Sequence, residues 1–201
     1  MSDVGVVILA AGASSRMGSP KQALPYQEGT LLTHTLTAAR AAGCEPIVVV
    51  LGAFADEVRA LLVGPPVVCV YNSDWQEGMN TSVRIGVEHI TAHFPEVDSL
   101  VLLTCDQPFL TAAVIENLVQ MRTVTGKSLI ASAYANTVGI PALFDKNLFI
   151  KLCELPAGAG AKRLIVSHSQ NDVAAVDFPG GSIDIDTPDQ YSRLIGMADA
   201  N

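Results

Sequence analysis

Arg16 and Lys21 follow an apolar run that ends abruptly in small residues, and no carboxylate stands between them. The stretch reads Val6-Val7-Ile8-Leu9-Ala10-Ala11-Gly12-Ala13-Ser14-Ser15-Arg16-Met17-Gly18-Ser19-Pro20-Lys21. Small residues let a backbone come close to a ligand, and successive free N–H groups in such a turn cradle an anion. Arg then meets phosphate oxygens as a flat fork and Lys as a point charge. The pattern predicts a triphosphate grip.

Two other phosphate motifs do not fit. A dinucleotide fingerprint needs G-x-G-x-x-G opening a helix after a strand, whereas the glycines here are Gly12 and Gly18. Gly126-Lys127-Ser128 imitates the end of a P-loop, but Met121 stands where its first glycine belongs and a helical pattern precedes it.

Carboxylates supply the complementary chemistry. Asp106 follows the apolar run Leu100–Cys105 and precedes Gln107-Pro108. A carboxylate there suits Mg²⁺, which takes one or two carboxylates plus phosphates and water. Asp184 and Asp186 lie far along the chain, before Thr187-Pro188. If they lie on a strand they share a face; alternatively Asp186 or Thr187 caps a final helix with Pro188 in its first turn. If the sheet brings Asp186 to Asp106, the two form a divalent-metal site. Asn80 or Thr81 reads as the cap of another helix, whose start would hold phosphate or read a base edge. His89 and His93 have helical zinc spacing but no third ligand, so they read as an ordinary helix face. G-x-S-x-G is absent, which favours direct phosphoryl chemistry over a covalent intermediate.

These residues need a scaffold. Apolar runs at Val4–Leu9, Ile47–Leu51, Val67–Tyr71, Leu100–Thr104, Leu129–Ala133 and Val173–Asp177 read as strands buried on both faces. Helical patterns near Leu31–Ala42, Ala55–Leu62, Thr81–His93 and Thr111–Thr123 alternate with them, and Gly43 reads as a helix stop. The alternation predicts a doubly wound α/β sheet, with ligands at the carboxyl ends of its strands. After Ala135 the rhythm loosens. Residues 139–144 read as a short strand or loop, Lys146–Glu154 as a helix and Pro156–Gly160 as a small-residue loop, together shaping an acceptor pocket.

The 201 residues fit one domain. A net charge of −8 argues against nucleic acid and against an anionic membrane surface, so an anionic ligand depends on local cations or a metal. The four cysteines lack C-x-x-C spacing and read as reduced, buried thiols. With no basic leader before the first apolar run, the expectation is a cytoplasmic protein.

The motif Leu9-Ala10-Ala11-Gly12-x-Ser14-x-Arg16-Met17-Gly18-x-x-Lys21 resembles the signature of nucleotidyltransferases with a GT-A-like, Rossmann-like fold. Within them it is most similar to the molybdenum cofactor cytidylyltransferases. Gly78-Met79-x-x-Ser82, Cys105-Asp106-Gln107-Pro108, Gly139-x-Pro141-x-Leu143-Phe144 and Asp184-Ile185-Asp186-Thr187-Pro188 extend the resemblance in order along nearly the whole chain. It implies a three-layer α/β/α sandwich with a mostly parallel sheet. Residues 1–134 would hold the nucleotide, and 135–201 the acceptor side and second metal ligand. Leu9, Ala10, Ala11, Gly12, Ser14, Asn80 and Ser82 would contact the nucleotide, and Arg16 and Lys21 the triphosphate. Asp106 and Asp186 would hold Mg²⁺, with Mn²⁺ as an alternative, so that Arg16, Lys21 and Asp106 carry the catalysis. Gly139, Pro141 and Lys162 would meet the acceptor.

The resemblance implies CMP transfer from CTP to a molybdopterin-type phosphate, with a molybdoenzyme as an eventual partner. The guanylyltransferase relatives carry Leu-Ala-Gly-Gly where Ala11 stands here, which favours CTP. Two departures fall on the acceptor side. Ile140 stands where the family often has His, and Gly158 where it often has Asp. Other NTP-dependent transferases, including guanylyl and sugar- or isoprenoid-phosphate cytidylyl enzymes, are the alternatives. A non-catalytic nucleotide-binding partner that delivers cofactor is another. A dinucleotide-dependent oxidoreductase on this scaffold is disfavoured by the missing fingerprint.

Overall fold

Seven strands make one sheet in the computed structural model, which describes residues 3–64, 66–168 and 172–198. The main-sheet strands are β1 (Val4–Ala10), β4 (Ile47–Leu51), β5 (Val68–Tyr71), β6 (Ser99–Thr104), β7 (Leu129–Tyr134), β8 (Thr137–Asp145) and β9 (Val173–Asp177). Their order is β5-β4-β1-β6-β8-β7-β9. The pairs β1–β4, β1–β6, β4–β5 and β7–β9 are parallel, and β8 runs antiparallel to both its neighbours. The mostly parallel, three-layer α/β/α architecture expected from the sequence is present.

Every residue of β1 is buried, because helices cover both faces. Val6, Ile8 and Ala10 face α1 (Leu31–Ala41), α2 (Ala55–Ala60) and α4 (Ala112–Thr125). Val7 and Leu9 face α3 (Met79–His93), α5 (Phe149–Cys153) and α6 (Lys162–Ser167). Helix α3 presses directly on the sheet at Gly86, where an added Cβ would lie 2.6 Å from Val7 and 3.1 Å from Val50. A small hairpin of β2 (Pro25–Tyr26) and β3 (Gly29–Thr30) meets α7 (Pro188–Ala198), and Tyr26, Leu31, Ile185 and Leu194 form a third cluster between them. No helix among the described residues is long and apolar enough to cross a membrane. The four cysteines are unpaired.

Several local expectations change. Residues 139–144 belong to the nine-residue β8, not to a short strand or loop. Of the two alternatives for Asp184–Asp186 the strand does not form; the segment is tied just past the end of β6 by the Ile185 N–H, which donates to the Asp106 carbonyl at 2.9 Å. Neither Asn80 nor Thr81 caps α3. Gly78 takes the cap position at φ 121°, and the Thr81 hydroxyl turns back to the Gly78 carbonyl at 2.8 Å. At α7, Thr187 and Gln190 form a capping box: the Gln190 N–H donates to Thr187 Oγ1 (3.3 Å), and Gln190 Oε1 accepts the Thr187 N–H (2.9 Å). Gly126 ends α4 in the left-handed region, so Gly126-Lys127-Ser128 is a helix stop.

Candidate active site

The loop after β1 is held by a buried amide that no sequence motif marks. Gln22, 1% exposed, donates from Nε2 to the carbonyls of Ala10 (2.8 Å) and Gly12 (3.0 Å). The Ser14 hydroxyl accepts the Lys21 N–H at 3.1 Å and lies 3.4 Å from Gln22 Oε1. The Ala53 N–H ties the Ala11 carbonyl to the end of β4. With the carbonyls so engaged, the N–H groups of residues 12–16 have no hydrogen-bond partner among the described residues. Unpaired backbone N–H groups of this kind are the ones a phosphate takes as partners. Leu9, Ala10 and Ala11 bury their side chains and leave only backbone for a ligand. The Ala11 methyl faces Gly52, at which an added Cβ would stand 2.7 Å from it.

At the far end of this loop the two cations meet the two predicted carboxylates. Lys21 Nζ lies 2.6 Å from Asp106 Oδ2 and 2.9 Å from Asp186 Oδ1. Arg16 Nη2 lies 2.9 Å from Asp186 Oδ2. The link from Ile185 to Asp106 brings the distant carboxylate to the end of β6. Burial opposes the charge on Lys21, but Asp106 and then Asp186 outweigh it and raise its proton affinity. Burial likewise opposes the charge on Asp186, and hydrogen bonding to Lys21, reinforced by Arg16, holds its carboxyl below the usual range.

Asp184 is the third carboxylate of this corner. Burial, then the charges of Asp106 and Asp186, push it up to about 6. The native state therefore binds a proton that the unfolded chain releases near pH ~4, and stability declines as pH rises from about 4 to about 6. Asp184→Asn is expected to raise the melting temperature at about pH 8 in a chelating buffer, with a smaller gain near pH 4.5. An equal gain at both pH values in thermal melts would contradict this origin.

Two carboxylates converging on one ammonium already surround a cation, and an all-oxygen donor set suits a hard divalent ion. Among the described residues no group of three or more His, Cys, Asp or Glu could hold a metal alone. The pair therefore fits an ion that takes its remaining ligands from phosphate and water.

Ser82 is buried and accepts the Asn72 amide at 2.9 Å. Asn72, itself 2% exposed, also bonds Thr81 Oγ1 (2.9 Å) and takes the Asp74 N–H, fixing the turn that enters α3. Asn80 Oδ1 accepts the Gly158 N–H at 2.9 Å, so both Asn80 and Ser82 already have protein partners. On the acceptor side, Tyr134 covers Gly139 and donates to the Ile140 carbonyl at 3.2 Å, while the Pro141 carbonyl accepts Ser132. Gln107 donates to the carbonyls of Ile140 (3.0 Å) and Gly181 (3.2 Å), and its buried Oε1 has no hydrogen-bond partner among the described residues. Exposed Lys162 opens α6, just past Gly160, at which an added Cβ would lie 2.9 Å from Met79 Sδ. The structure thus unites Arg16, Lys21, Asp106 and Asp186, and sets Lys162 on a separate rim beside α3.

A loop of small residues, two cations and two carboxylates thus meet at the carboxyl edge of a mostly parallel sheet. The chain belongs to the family described as the MobA-like NTP transferase domain, whose model matches residues 6–173. It is 29% identical to a nicotine blue oxidoreductase of Paenarthrobacter nicotinovorans, over 94% of this chain and 95% of that one. It is 26% identical to a molybdenum cofactor cytidylyltransferase of Escherichia coli K12, over 95% of each. Among solved structures it superposes on Rv0371c from Mycobacterium tuberculosis H37Rv with TM-score 0.82 and 31% identity, covering 96% of this chain and 97% of that one. A second structure of Rv0371c, in complex with manganese, matches with TM-score 0.77 and 30% identity, covering 97% and 99%.

Proposed function

We propose that the protein transfers CMP from CTP to a molybdopterin-type phosphate. A phosphate oxygen of the acceptor attacks the α-phosphorus in line, the bond to the β-phosphate oxygen breaks, and pyrophosphate leaves. The observation that carries this reading is the convergence of Lys21, Arg16, Asp106 and Asp186 beside the free N–H groups of residues 12–16. Residues 1–134 hold the donor, and residues 135–201 bring Asp186 and the acceptor side, with Gly139, Pro141 and Lys162 as its contacts.

Positioning and electrostatics supply most of the rate in such transfers. The cradle fixes the triphosphate, and Arg16 and Lys21 stabilise the pyrophosphate as its charge grows. Asp106 and Asp186 would hold the divalent ion, Mg²⁺ or Mn²⁺, which when bound offsets charge between the attacking and leaving oxygens. The manganese complex of Rv0371c supports a divalent ion. Ala11 supports CTP over GTP through the resemblance. Its methyl packs on Gly52, so it acts by setting how the loop seats, not by touching the base.

The test is pyrophosphate release with each of the four NTPs, with and without molybdopterin. Release with CTP that requires molybdopterin supports the reading; preferential use of GTP replaces the donor assignment. The likeness to a nicotine blue oxidoreductase favours a second reading, oxidoreduction on the same scaffold. Oxidation of NADH or NADPH matched by two-electron reduction of an added quinonoid dye, with the protein as catalyst and without pyrophosphate release, would establish that instead.

A further inference from the structure

We propose that Lys21 and Arg16 are internal competitors of the divalent ion, so that metal and triphosphate bind as a coupled pair. The inference rests on the nucleotidyl-transfer reading above and concerns how its site fills. Both oxygens of Asp186 and one oxygen of Asp106 are engaged by these cations, at 2.6 to 2.9 Å. The Lys21 and Asp106 side chains are only 15% and 18% exposed, so solvent screens their attraction weakly. The four side chains cancel in charge. The carboxylates a hard cation needs are therefore those the cations hold, and the cations a triphosphate needs are those the carboxylates hold.

Each ligand alone meets an obstacle. A divalent ion on Asp106 and Asp186 displaces Lys21 and leaves its ammonium partly buried beside another cation. A triphosphate alone draws Lys21 and Arg16 away and leaves two carboxylates facing a polyanion. Removing one partner of a partly buried ion pair is costly because the other charge is left uncompensated. Together the ligands exchange partners: the ion takes the carboxylates and the phosphates take Arg16 and Lys21. No charge is stranded. Linkage then requires each ligand to tighten the other by the same factor.

Lys21 therefore has opposite effects on the two ligands. Lys21→Met keeps the unbranched stem as far as the ε position and removes the charged Nζ. Electron paramagnetic resonance of Mn²⁺ measures metal affinity without nucleotide, and calorimetry measures CTP affinity with and without saturating Mn²⁺. In the unaltered protein, Mn²⁺ is expected to tighten CTP by about tenfold or more. Lys21→Met is expected to bind Mn²⁺ without nucleotide about tenfold more tightly, while binding CTP more weakly and with reduced coupling. Arg16→Gln, altering a side chain that is 67% exposed, is expected to shift Mn²⁺ affinity the same way by less, and serves if the first variant does not fold.

Independent binding of Mn²⁺ and CTP by the unaltered protein would overturn the proposal. So would a neutralised cation that leaves Mn²⁺ affinity unchanged or weaker. A protein that binds neither Mn²⁺ nor any NTP removes the nucleotidyl-transfer reading itself, and the inference with it.

Discussion

Asp106→Ala is expected to lower the rate of pyrophosphate release by about a thousandfold or more, with the fold intact. The carboxylate stands at the end of β6 with 18% of its side chain exposed, and it is the nearer of the two that grip Lys21. Removing it halves the charge available to a divalent ion and leaves Lys21 with Asp186 alone. Asp106→Asn is expected to lose nearly as much, since the amide keeps the shape without the charge. Asp106 does not cap α4, where Thr111 holds the cap position, so no helix is weakened. A continuous pyrophosphate assay with a parallel thermal melt separates the two effects. More than a tenth of the original rate in a folded Asp106→Ala protein would remove Asp106 from the chemistry.

Phe144→Ala is expected to have the largest effect on stability, about 3–5 kcal/mol. Phe144 is fully buried and lies in β8 opposite Leu100 on one side and Leu129 on the other. Its ring belongs to the core beneath α3, α5 and α6. Truncation leaves a cavity that flanking strands, held in register on both sides, cannot close. For a chain of this size the melting temperature is expected to fall by on the order of 10 °C, with a lower denaturant midpoint and an unchanged slope. A fall of only one or two degrees would mean that the core repacks.

The strands around β1 and the charged residues that follow it were largely legible because their signals are local. Strands buried on both faces read as unbroken apolar runs, and a strand running into small residues and then two cations is visible at a glance. The antiparallel course of β8 was not legible. It is set by the two-residue turn Ala135-Asn136, both at positive φ, which lacks the Asn-Gly signature of such hairpins. Gly139 and Pro141 further blurred the strand pattern. The stapling roles of Gln22, Asn72 and Gln107 were not legible for a different reason. Each is a polar staple between segments distant in the chain, and nothing in its immediate neighbours marks it. The Thr187–Gln190 capping box could have been read from its T-x-x-Q spacing.

The placement of β8 also imposes an order on biosynthesis. Leu100 and Leu102 present one flank to Phe144 and Ala142, which emerge from the ribosome only after α4 and β7. Until then β6 displays an open apolar edge, and β7, which points the same way, has no strand between itself and that edge. Direct docking of β7 on β6 would give a plausible but wrong sheet. Because only two residues join β7 to β8, closing that hairpin first fills the gap as one unit and guards against the wrong sheet.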